Sequence, residues 1–205
     1  MTAPQPVQFV RPTAPGDAAR ADLYALLARL FYAGPDAGVL SAIAAADQLV
    51  APSDTPLSIA WRALQEASRG IDAQQATDEF TILFVGVGKA PVSVYASHFL
   101  TGNYKELTLV HLRDELERLG LARRADATEP EDHLAALLDV MHHLVRRSED
   151  EGAVQAAFFN SYLKPWHEKF CTAVEESGSA GYYRLVSRLM KCYFAIEVEL
   201  FEWTV

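Results

Sequence analysis

The residues best suited to chemistry crowd into one short stretch, Glu129-Pro-Glu-Asp-His133, which sets three carboxylates and an imidazole side by side. Such a set can ligate a metal, relay a proton or pair with a cation. Thr128-Glu-Pro-Glu131 also reads as a capping box with a proline in the first turn, so a helix is expected to open here. Anions in a first turn favour the helix dipole by about 0.3–1 kcal/mol each. Three carboxylates and a histidine exceed what capping needs. Beside the apolar stripe that comes next, they suit a cationic peptide with an apolar portion. Glu129 and His133 are four apart, but Glu129 sits at the cap. His142 and His143 lie more than two turns further on, roughly 14 Å away at 1.5 Å per residue, and cannot bind the same ion as His133. No metal site is expected.

Three other groups resemble sites less well. Gly86-Val-Gly-Lys89 lacks the Ser or Thr that a phosphate loop needs, since Ala90 comes next, and it follows a helix instead of a strand. Ser97 and His98 are adjacent, so on a helix they point about a quarter-turn apart, with no oxyanion loop beside them. Cys171 and Cys192 are the only cysteines. They form neither a disulfide framework nor a thiolate cluster, and both read as buried reduced thiols.

The elements that must position these residues are helical throughout. Leu23, Leu26, Leu27, Leu30 and Phe31 share one helical face, with Asp17 or Asp22 near the start and Gly34-Pro35 at the end. Further helices are expected over 36–49, from Leu57 to Gly70 and from Asp72 onward. A Gly/Pro loop comes next over 86–93, then a short helix from Val94 to Gly102. Leu109, Leu112, Leu116 and Leu119 mark the next helix. Gly120 fits a left-handed stop, with Leu121 returning to Leu116. Leu134 to Val145 forms a stripe, and Ser148-Glu-Asp-Glu151 reads as another cap. Pro165 opens or kinks the Trp166–Phe170 segment, and Tyr182 to Leu200 makes the last helix. The fold class is all-α, a single bundle of about nine or ten helices over residues 17–205. The loop at 86–93 is a possible divide between two halves. Residues 1–16, with Pro4, Pro6, Pro12 and Pro15, read as a flexible tail and not as an export signal.

Composition narrows the class. Half of the 205 residues are apolar, which supports a packed core. No apolar run approaches the roughly 18 residues of a membrane span, so no stable membrane insertion is expected. The net charge of −9 and the lack of a basic face argue against nucleic acid and favour a basic partner. The expected compartment is the cytoplasm.

Taken together these residues resemble the TorD/DmsD family of redox-enzyme maturation chaperones. The resemblance rests above all on Glu129-Pro-Glu-Asp-His133. It extends to Pro91-Val-Ser-Val-Tyr-Ala-Ser97, Thr101-Gly102, Leu112 to Leu121, the helix Leu134 to Leu144, Trp166 to Phe170, Arg20-Ala-Asp-Leu-Tyr24 and the aromatic last helix. It implies an all-helical, TorD-like chaperone, not an enzyme and without a cofactor. Such a protein binds the twin-arginine signal peptide of a molybdopterin-dependent oxidoreductase precursor and holds it until cofactor insertion is complete. The family signature maps onto Glu129, Pro130, Asp132 and His133. The peptide-facing loop maps onto Pro91, Tyr95 and Ser97, and the first-helix aromatic onto Tyr24. Glu129, Asp132 and His133 are expected to line a groove whose apolar wall includes Tyr24, Tyr95 or neighbouring core residues. Some members carry Trp or Glu where this chain has Val92 and Ala96, which leaves the client open.

Two other classes compete: a metal-dependent all-helical enzyme, which metal analysis would reveal, and a non-catalytic regulatory or dimerisation module, which would not bind a signal peptide. A monomer and a homodimer, domain-swapped through the Gly86–Pro91 hinge, are both compatible with the sequence.

Overall fold

A computed structural model describes residues 15–49, 54–86, 90–100, 105–124, 127–147 and 152–202. Among them, local chemistry sets most helix ends. Helix α1 (Pro15–Tyr32) opens on a proline and carries Asp17 in its first turn. Helix α2 (Ala37–Ala45) is capped by Asp36, whose carboxylate accepts from the Val39 amide at 2.9 Å. Helix α3 (Pro56–Gly70) starts with Thr55 as cap and Pro56 in the first turn, and α4 (Ala73–Phe80) with Asp72. A π-helical turn, Thr81–Val85, extends α4. Next come α5 (Ala96–Phe99), α6 (Lys105–Arg118), α7 (Leu134–Arg146), α8 (Gly152–Tyr162), α9 (His167–Glu176) and α10 (Tyr182–Glu202). No strand ladder forms among the described residues, where a single isolated antiparallel bridge joins Tyr95 to His133. The all-α expectation therefore holds.

Several local expectations hold as well. Gly120 has φ +71°, its amide reaches the Glu117 carbonyl, and Leu121 reaches the Leu116 carbonyl at 2.8 Å, which is the Schellman stop. Pro165 lies in the turn before α9 and so opens it. Others do not hold. The second helix ends at Ala45, short of 49. The first begins at Pro15, inside the stretch read as a tail, whose residues 1–14 lie outside the described residues. So do Gly102 and Ser148 to Glu151. The short helix near Ser97 spans only Ala96–Phe99. Cys171 is buried, whereas Cys192 is half-buried.

One correction bears on the site. No helix opens at Thr128. Residues 129–133 form a turn closed by the His133 amide on the Pro130 carbonyl at 3.2 Å, and α7 begins only at Leu134. The cap is His133 itself, whose Nδ1 accepts from the Ala135 amide at 3.1 Å. The capping-box reading fails: the box needs the Glu131 carboxylate to turn back on the Thr128 amide, whereas Arg113, distant in sequence, holds it.

The 86–93 loop does not divide the bundle. Helix α1 packs along α7, and α10 packs against α3 and α9, so both halves share one core. At its centre Phe31 of α1 meets Phe170 of α9 at 5.3 Å, and Phe84 of the π turn meets Tyr183 of α10 at 5.1 Å, both edge to face. Gly34 lets the chain after α1 touch α4, where a Cβ would stand 2.7 Å from the Thr77 Cα.

Two carboxylates tie α10 into this core. Glu197 of α10 is fully buried. Arg20 of α1 grips it in a fork, Nε to Oε1 at 2.8 Å and Nη2 to Oε2 at 2.9 Å, and the Tyr24 hydroxyl donates to Oε2 at 2.8 Å. Arg20 also reaches Asp17 and Gln155 of α8. Burial, with Tyr193 and Glu197 nearby, pushes the Tyr24 hydroxyl well above its usual range, so it remains a donor. At the other end of α10, the Glu79 carboxylate accepts from the amides of Gly181, Tyr182 and Tyr183 at 2.8–2.9 Å. A residue from α4 thus supplies the cap that the sequence around 177–181 lacks.

Replacing Glu197 by Ala leaves the Arg20 guanidinium with only the partly exposed Asp17 as counter-ion and removes its buried partner, and is expected to cost roughly 3–5 kcal/mol in urea unfolding. The apolar pair Arg20→Met/Glu197→Leu should cost clearly less, and an equal loss would refute the ion-pair account. Glu79→Ala should cost about 1–2 kcal/mol and speed amide exchange selectively at 181–183. Uniform exchange along α10 would show that Glu79 is not its cap.

Candidate functional site

The turn at 129–133 is held by an opposing segment. The Asp132 carbonyl accepts from the Ala96 amide at 3.0 Å, and the Val94 carbonyl accepts from the Leu134 amide at 2.8 Å. The Asp132 carboxylate accepts from the Ser97 amide at 3.1 Å. Asp132, only 1% exposed, therefore caps the four-residue α5 across the fold. Without that buried acceptor the first amides of α5 would lack a partner. Tyr95 lies between, with its ring edge-on to His133 at 5.3 Å and its hydroxyl donating to Glu129 Oε2 at 2.6 Å. Burial and the Glu129 carboxylate push the Tyr95 hydroxyl up to about 12.

In front of this clip runs a groove of about 740 Å³, between α1, α7 and the segment after α6. That volume lies in the range of about 300–1,000 Å³ usual for ligand clefts. Its apolar surface comes from Ala25, Ala28, Leu116, Leu121, Ala135 and Val140. Tyr32, 57% exposed, stands at its wall with its ring 6.5 Å from that of His133. The charges on the wall fall into two kinds. Glu131 is committed: Arg113 grips it through two hydrogen bonds at 3.0–3.1 Å, and Arg123 lies at 3.8 Å. Arg123 is further bound to the carbonyls of Ala127 and Glu129, and Arg29 to Asp36. Glu129 and Asp139 also line the groove, and neither has an ion-pair partner among the described residues. His133 lends its ring to the wall. With Nδ1 accepting from Ala135, the neutral ring carries its hydrogen on Nε2.

The residues expected at the site therefore separate. Glu129, Pro130 and His133 line the groove together. Asp132 is buried beneath it and Tyr95 stands behind Glu129. Ser97 offers its amide to Asp132, and neither Ser97 nor the exposed Pro91 lines the groove. Tyr24 is corrected outright: it is fully buried on Glu197, because a carboxylate in the core needs its hydroxyl. Tyr32, two turns later on α1, takes the wall position. Sequence reasoning passes over it because its neighbours Leu30 and Phe31 carry the core pattern. It misses Asp139 as well, as an ordinary charge on the outer face of α7. The histidines of α7 do not converge, and among the described residues no three His, Cys, Asp or Glu side chains are placed to hold a metal ion.

Burial holds His133 below the usual histidine range, against the opposing pull of the Glu129 and Asp132 charges, and burial lowers His167 in the same direction. A histidine depressed in the folded state stabilises the fold above its unfolded value, about 6.5, and that stability is lost as pH falls through the folded value. The unfolding midpoint should therefore decline below about pH 6.5. His133→Asn, which keeps a cap acceptor but does not titrate, should shrink that decline, leaving the share of His167. An unchanged decline in thermal scans across this range would remove His133 from the linkage.

The family described as nitrate reductase delta subunit matches residues 51–172, well over half of the chain. Among curated proteins, the chain is 29% identical over 140 residues to the chaperone protein TorD of Aliivibrio fischeri, covering 62% of this chain and 65% of that protein. It is 27% identical over 157 residues to the TorD of Shewanella oneidensis, covering 73% and 71%. The first match thus spans a little less than two thirds of its relative's length. The matched family region holds the clip and most of the groove, while the α1 wall with Tyr32 lies before it. No described helix is long and apolar enough to cross a membrane. On the extent of the profile match and the agreement of its TorD relatives, the chain belongs to the nitrate reductase delta subunit family, the family of the TorD chaperones.

Proposed function

We propose that this chain is a cytoplasmic chaperone for the precursor of a molybdopterin-dependent oxidoreductase, and that the groove between α1 and α7 takes the precursor's twin-arginine signal peptide. One observation carries the reading. Glu129 and Asp139 face the groove without ion-pair partners among the described residues, beside an alanine- and leucine-lined surface. A signal peptide with a basic start and an apolar core is complementary to both parts. Of the arginines that line the groove, Arg29 and Arg123 are already bound to acceptors of the chain itself, and Arg124 is not without a partner either. The relatives' name supports a chaperone role. The pairing of carboxylates with a cation also explains why the stretch carries more acid than its turn requires.

The test is a calorimetric titration with a peptide bearing paired arginines ahead of an apolar segment. Wild-type protein should bind it, more weakly as salt rises. Glu129→Gln/Asp139→Asn should unfold at the wild-type midpoint and lose about tenfold or more in affinity. Equal affinities for wild type and variant, or a wild type that does not bind, would refute the proposal.

A further inference from the structure

Glu129 lines the groove, but the residue bonded to it does not. Tyr95 reaches Glu129 Oε2 from behind, at 2.6 Å. Its backbone is fixed by the two hydrogen bonds between 94–96 and 132–134, and its ring edge packs on His133. A carboxylate on a turn otherwise rotates freely about its last torsions, and ordering it on binding costs entropy. A single short donor to Oε2 leaves Oε1 unclaimed among the described residues and removes much of that freedom beforehand.

We infer that Tyr95 is a positioning residue of the peptide site: it does not face the peptide, but its hydroxyl holds the Glu129 carboxylate turned into the groove, ready for a guanidinium. The inference rests on the reading of the groove as a signal-peptide site and deepens it. It reverses the role that the family resemblance gives Tyr95, from a group touching the peptide to one acting through Glu129. It also accounts for a tyrosine whose hydroxyl, in place of solvent, is spent on an acid that has no cation among the described residues.

The experiment is a double-mutant cycle on the full chain, with Tyr95→Phe, Glu129→Gln and the pair. The probes are two synthetic peptides, one with paired arginines ahead of an alanine–leucine segment and one with glutamines in their place. For the arginine peptide, Tyr95→Phe should lose up to about tenfold in affinity. It should lose no more than Glu129→Gln, and the pair should match Glu129→Gln alone. For the glutamine peptide, Tyr95→Phe should bind as wild type. Losses that add, or no loss in Tyr95→Phe, would overturn the inference while leaving the groove as the binding site. An equal loss for both peptides would make Tyr95 a shaper of the groove and likewise overturn it. If the wild type binds neither peptide, the reading of the groove falls and this inference with it.

Discussion

A carboxylate with no access to water must be neutralised where it lies, and Glu197 imposes that condition on the whole bundle. Its two oxygens take the Arg20 fork and the Tyr24 hydroxyl. Both donors come from the first turns of α1, so α1 can lie in only one place relative to α10. Once α1 is set, its other side lies along α7 and forms one wall of the groove. A buried ion pair is a weak source of net stability, because desolvation offsets most of the attraction. Its effect here is on register. An apolar α1 could slide or rotate against α10 at small cost, whereas a helix whose arginine must meet one buried acid cannot.

The second constraint is the clip between 94–97 and 132–134. Asp132 closes α5 from a distance, His133 opens α7, and Tyr95 joins the two through Glu129. Asp132 and His133 satisfy backbone amides that would otherwise be orphaned in a buried environment, where an unmade hydrogen bond costs more than a made one contributes. The signature stretch is therefore divided by depth. Its buried half builds the turn, and its accessible half faces the groove.

Charge obeys the same division. The chain is acidic overall, yet the groove wall contains arginines as well as carboxylates. Net charge alone would misjudge it. What matters is which charges are already paired: Glu131 is held by two guanidinium groups, while Glu129 and Asp139 keep no cation of the chain's own among the described residues.

The helices are legible in the sequence because their causes are local. Asp36, Thr55 and Asp72 each cap the helix next in the chain, Gly120 stops α6 through its own left-handed φ, and the leucines of α6 and α7 repeat at the helical period. The stretch Glu129 to His133 also stands out in the sequence, from an excess of charge over what a cap needs. Its inner division is not. Whether Asp132 caps its own helix or another depends on Ser97, which lies 35 residues away in sequence, and a capping box is a statement about neighbours only. Likewise nothing local distinguishes Tyr24 from Tyr32 on α1. One is drawn into the core by Glu197, 173 residues later, and the other stays exposed at the groove beside His133. Local propensity wrote the elements, and satisfaction of buried polar groups across the bundle decided which of their side chains meet.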